Sequence, residues 1–144
     1  MIRAVLDANV FVSAILSPKG IPARVLTAWR AEQLHLVLSE ATLEEIDRVL
    51  RYPRIAKRHR WPEERIRTFI EDLAHLAIVA PGILSLTVIT DDLPDNRYLE
   101  CAVEGSAEYL VSGDAHLLAL GRYEGIQILT PRAFLGVLKE RVGS

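Results

Sequence analysis

A chain of 144 residues, half of them hydrophobic and a quarter charged, fits one folded domain with one core and excludes disorder by composition. The formal net charge of −2 does not advertise nucleic-acid binding, although a net value averages over the surface and conceals local fields. One cysteine excludes an intramolecular disulfide and a cysteine-rich zinc site. With no apolar run near the roughly 20 residues that span a bilayer, and none at the N-terminus long enough for a signal peptide, the chain is expected in the cytoplasm.

Ile2 to Leu6 is a short apolar run that predicts a buried strand, with Asp7 directly after it. Val10 to Leu16 reads as a helix stopped by Ser17-Pro18-Lys19-Gly20. Pro22 suits the first turn of a second helix reaching about Glu32, with Val25, Leu26 and Trp29 inward. Leu34 to Leu38 is a second strand. The helix after it is capped by Ser39 or Thr42, buries Leu43, Ile46, Val49 and Leu50, and stops near Tyr52-Pro53. Pro62 opens another helix, with Ile66, Phe69, Ile70 and Leu73 on one face.

Ala77 to Thr90 carries two apolar runs around Pro81-Gly82 and predicts one or two short strands. A loop, Asp91 to Pro94, leads into a helix from about Asp95 to Glu104, where Leu99, Ala102 and Val103 make Cys101 a buried, inert thiol. Tyr109 to Val111 is a strand, Ala115 to Leu120 a short helix, Ile126 to Leu129 the last strand. Pro131 opens a final helix with Phe134, Leu135 and Leu138 inward. Strand and helix alternate throughout, the pattern of a mostly parallel sheet covered by helices on both faces, a three-layer α/β/α sandwich.

In such sheets ligands bind beyond the carboxyl ends of the strands. Acids recur there: Asp7 after the first strand, Glu44 and Glu45 on the helix leaving the second, Asp95 at the start of its helix, Asp114 after the Tyr109–Val111 strand. Gathering such charges is costly, since two of them 4 Å apart repel by roughly 4 kcal/mol at an effective dielectric near 20. A cation relieves the repulsion, and oxygen-only ligands favour Mg²⁺ or Mn²⁺ over Zn²⁺. A site of this kind suits phosphodiester hydrolysis without a side-chain nucleophile. Each acid also has a structural reading. Asp7 can be a turn residue, Thr42-x-x-Glu45 fits a capping box, and Asp95 and Asp114 suit helix N-termini.

The run Val5-Leu6-Asp7-Ala8-Asn9-Val10-Phe11-Val12-Ser13 resembles the opening of PIN-domain ribonucleases. Pro94-Asp95-Asn96-Arg97-Tyr98-Leu99-Glu100-Cys101-Ala102 and Tyr109-Leu110-Val111-Ser112-Gly113-Asp114-Ala115-His116-Leu117-Leu118 resemble that family's second half, in particular a prokaryotic branch of toxins from toxin–antitoxin pairs. The resemblance implies one PIN-like nuclease domain, residues 1–144. It implies a Mg²⁺- or Mn²⁺-dependent endoribonuclease, commonly a homodimer, partnered by a small antitoxin protein. Asp7, Asp95 and Asp114 match the family's acids. Glu45, before the aliphatic Ile46, is the best match for the fourth, with Glu44 its neighbour about 100° away around the helix. Asn9, Asn96 and Ser112 match supporting polar positions, beside the ligands or at the substrate. Ser112 stands where the family often has threonine. Asp91 and Asp92 lie close enough to Asp95 to compete for its place.

Cations concentrate between residues 48 and 67. One reading makes Arg51, Arg54, Arg58 and Arg60 phosphate contacts, with Trp61 stacking on a base. The other makes the segment a solvated helical hairpin, with Trp61 packed down and the arginines paired to nearby acids. His116, two residues after Asp114, falls near the mouth of the expected site. A phosphohydrolase with an aspartate nucleophile, or a receiver-type signalling domain, would require a lysine after a strand. Lys19, Lys57 and Lys139 do not follow strands. A PIN-like module that only binds RNA or protein is the remaining alternative.

Overall fold

In the computed structural model, which describes residues 1–142, the strands are β1 (Arg3–Leu6), β2 (His35–Leu38), β3 (Ile78–Val79), β4 (Tyr109–Val111), β5 (Arg122–Tyr123) and β6 (Ile126–Leu129). The helices are α1 (Ala8–Leu16), α2 (Ile21–Arg30), α3 (Glu40–Leu50), α4 (Pro53–His59), α5 (Glu63–Leu76), α6 (Asn96–Glu104), α7 (Ala115–Leu120) and α8 (Pro131–Val142), with a 3₁₀ turn at Leu93–Asp95.

The strands form one sheet in the order β3-β2-β1-β4-β6-β5. Every pairing is parallel except β5 with β6. Side chains alternate across the sheet, as the period of two requires. Ala4, Leu6, Leu36, Leu38, Tyr109 and Val111 face a core shared with α1, α2, α3, α5 and α8. Val5, Val37, Leu110, Ile126 and Ile128 face a second core, built with α6 and α7. Both faces are covered, so the strands read as unbroken apolar runs.

β2 and β3 build outward on one side of β1, and β4 returns to its other side. The strand order therefore reverses between β1 and β4. That is the switch point where a crevice opens at the carboxyl ends of the strands.

Two short elements were not expected. Pro53, read as a stop, also serves as the first residue of α4, so two helices abut at Tyr52. β5 is a two-residue partner to β6 across a tight turn, in which Glu124 (φ 46°) and Gly125 (φ 83°) take the left-handed conformation. The ambiguous stretch before Asp91 contributes one strand, β3. Among the described residues, no helix is long and apolar enough to cross a membrane.

Candidate metal centre

Asp7 leaves β1 pointing into the crevice and is 4% exposed. Its Oδ1 accepts the Val10 N–H at 3.0 Å, which caps α1. Its Oδ2 accepts from the hydroxyl of Ser112 at the end of β4. Ser112, fully buried, also accepts the Asp114 N–H at 2.9 Å. One hydroxyl thus ties the ends of the two central strands together. Asp114 repeats the arrangement at α7, where its Oδ1 accepts from His116 N–H (2.8 Å) and Leu117 N–H (3.2 Å). Both acids are helix N-caps, the reading the sequence offers for Asp114 but not for Asp7, which reads as a turn residue. Capping also explains their aim, since the cap fixes the carboxylate while an oxygen remains for other partners.

Asp95 differs. It precedes α6 but makes no side-chain cap. It is 8% exposed, and its Oδ2 is buried without a hydrogen-bond partner among the described residues. Burial pushes its carboxyl up to about 8, reinforced by its hydrogen bond with Asp114 and the charges of Asp114, Asp92 and Asp7. Burial also raises Asp7, partly offset by Ser112 and backbone N–H groups. Burial acts in the same direction on Asp114, but the proton shared with Asp95 and the two N-terminal amides of α7 outweigh it and hold that carboxyl low. The Asp95–Asp114 pair therefore keeps one proton between two carboxylates.

Asp92, Asp95, Asp114 and His116 each offer one donor atom, and these atoms lie within 4.8 Å of one another. Asp91 is exposed, while Asp92 and Asp95 both enter the cluster. Glu45 stands at one side. Its Oε2 accepts from the Tyr98 hydroxyl at 2.5 Å, and that same oxygen of Tyr98 accepts the Ala8 N–H at 3.1 Å. Burial and Glu45 both raise Tyr98, so it stays a donor. Glu44 is exposed. The capping box of α3 is made by Ser39 and Thr42, not by Thr42 and Glu45, which leaves Glu45 free for Tyr98.

Asn9 lies exposed in the first turn of α1. Asn96 is fully buried and clamps the preceding loop. It accepts from Ile89 N–H at 2.9 Å and donates to Ile89 O (2.8 Å) and Leu93 O (3.0 Å). Its amide is thus committed to the backbone and cannot stand at a substrate. Tyr98 lies within the Pro94–Ala102 run, where the sequence reading gives it no role. Its position three residues after Asp95, on the same helical face, was the available signal.

The basic segment divides. Arg51 is held by Asp47 and Glu63. Trp61 packs edge-on to Phe69, 5.7 Å between ring centroids, with the Arg65 guanidinium 4.2 Å from its ring centre. Neither matches the expected free phosphate contact or stacking base partner, because each is engaged within the fold. Arg54, Lys57, Arg58 and Arg60 are exposed, and the ion pairs among the described residues leave them out. A cavity of about 540 Å³ lined by Arg30, Trp61 and Asp72 includes none of the clustered acids. Cys101 is buried, its thiol pushed up to about 12, as an inert core cysteine should be.

A parallel sheet with carboxylates massed at its switch point, one of them buried with an unpartnered oxygen, fits a divalent cation better than it fits an empty cleft. A site of this kind suits metal-assisted hydrolysis of a phosphodiester. The chain belongs to the PIN-domain family, whose model matches residues 3–116. It is also 29% identical over 119 residues, 83% of this chain and 75% of the other, to the uncharacterized protein MJ1680 of Methanocaldococcus jannaschii. PIN domains are generally Mg²⁺-dependent nucleases, and the acidic cluster agrees with that.

Proposed function

We propose that the chain is one nuclease domain that cleaves RNA internally, with Mg²⁺ or Mn²⁺ held by Asp7, Asp95 and Asp114 and with Glu45 at the margin. The observation that carries this reading is the buried, unpartnered Oδ2 of Asp95 among like charges. Left alone it is a cost, and a cation turns it into a ligand. When bound, the cation neutralises developing charge on a phosphate and lowers the pKa of an attacking water. The residues supply the rest. Ser112 fixes the relative positions of Asp7 and Asp114, and Tyr98 holds Glu45 against the start of α1. Arg54, Lys57, Arg58 and Arg60 present a positive face for the RNA backbone.

The resemblance of residues 94–118 to the toxin branch supports a role as the toxin of a toxin–antitoxin pair, acting in the cytoplasm as a homodimer until an antitoxin protein occupies it. Asp7→Asn is expected to lower RNA cleavage by roughly a hundredfold or more, with an unchanged circular dichroism spectrum. Excess EDTA is expected to stop the wild type. Expression of the wild type should slow bacterial growth and that of the variant should not. Cleavage persisting in EDTA refutes the metal mechanism, and equal toxicity of both chains detaches growth arrest from nuclease chemistry.

A further inference from the structure

We propose that His116 and Asp92 complete the cation site, placing one imidazole nitrogen among its carboxylate oxygens and making the pocket selective for Mn²⁺ over Mg²⁺. The inference rests on the pocket's reading as a cation site and concerns which atoms form it.

His116 is the second residue of α7, and its own N–H is held by Asp114 Oδ1 at 2.8 Å. Its Nδ1 lies 3.7 Å from Asp114 Oδ1 and 3.9 Å from Asp92 Oδ2. Both separations exceed a hydrogen bond. They fall, however, between the two spacings expected of donors on one ion, so a small adjustment lets these atoms share one. Donors about 2.1 Å from one ion lie roughly 3 Å apart at a right angle and about 4.2 Å apart when opposite. Asp95 supplies an independent sign, because its unpartnered Oδ2 is on a residue more than nine-tenths buried that belongs to the same cluster.

Asp92 is brought in by the chain rather than by a strand. The 3₁₀ turn Leu93–Asp95 reverses the backbone, the Asp95 N–H bonds Asp92 O at 3.1 Å, and Asn96 anchors Leu93 O. Asp92 and Asp95 are thus carried to the cluster together. The cluster itself offers three carboxylates, Asp92, Asp95 and Asp114, and one imidazole, with Asp7 beside it. Mg²⁺ is a hard ion served by oxygen and water, whereas imidazole suits transition metals. One nitrogen therefore improves Mn²⁺ binding while offering Mg²⁺ little.

The test is Mn²⁺ titration of the metal-free full chain, followed by loss of the free-ion electron paramagnetic resonance signal, with Mg²⁺ as competitor. Pulsed measurement of ¹⁴N modulation on the bound ion reads the nitrogen directly. Wild type should bind Mn²⁺ in preference to Mg²⁺ and show ¹⁴N coupling. His116→Gln should lose the coupling, weaken Mn²⁺ by about tenfold and bring the two ions close to equal affinity. Asp92→Asn should weaken Mn²⁺ but keep the coupling. Bound Mn²⁺ without ¹⁴N coupling, and unaltered by His116→Gln, overturns the role of His116 while leaving the carboxylate site standing. Failure of wild type to bind Mn²⁺ at all overturns both this inference and the reading beneath it.

Discussion

Asp95 is where the fold carries its clearest local conflict. Its carboxyl, ordinarily near 3.8, stands near 8 in the folded chain because burial and neighbouring acids oppose its charge. The folded state therefore keeps a proton that the unfolded state has already released. Stability from this group is intact below about pH 4 and declines as pH rises through the window to about 8. Thermal melts in EDTA should show that decline, and Asp95→Asn should flatten it. Added Mn²⁺ should flatten it in wild type as well. A metal-free wild type whose melting point is level across this window contradicts the burial described. At this scale the sequence was a good guide to position, because Asp7 and Asp114 follow strands whose apolar runs are unmistakable. It was a poor guide to partners. The Ser112 bridge to Asp7 spans 105 residues and depends on β1 and β4 lying side by side.

Among the elements, α6 does most to place the pocket. Asn96, Glu100 and Glu104 on this helix take up backbone N–H groups of Ile89, Leu86, Gly82 and Ile83. This explains how the long segment after β3 holds its course with little strand pairing. Tyr98, from the same helix, reaches Glu45 on α3 and Ala8 on α1. Tyr98→Phe should cost about 1 kcal/mol in urea unfolding and lower cleavage by roughly tenfold or more by freeing Glu45. Unchanged kcat in that variant excludes Glu45 from the chemistry.

Under the proposed function, the basic face at α4 serves binding rather than reaction. Replacing Arg54, Lys57, Arg58 and Arg60 together by alanine should raise KM and reduce the salt dependence of RNA binding by about one log-log unit per lost phosphate contact, with kcat preserved. An unaltered salt slope removes this face from the substrate path. α4 was missed in the sequence because proline both ends and begins helices. β5 was missed because two residues carry no periodicity.

Over the whole molecule, the layered α/β/α class was legible from alternating strand and helix patterns alone. The strand order was not, since nothing local in β4 says that it pairs with β1 rather than β3. Yet that order is what brings Asp7 beside Ser112 and Asp114 and sets Asp95 against them. The overall charge of −2 likewise hides a negative crevice and a positive helix, as the cancelling sum must. The most direct test is a crystal of the wild type soaked in Mn²⁺ and recorded at a wavelength where manganese scatters anomalously. The account predicts a peak at coordination distance from Asp95 Oδ2 and Asp114. A map without a peak in that crevice, or with the ion bound elsewhere while Asp7, Asp95 and Asp114 point apart, contradicts it.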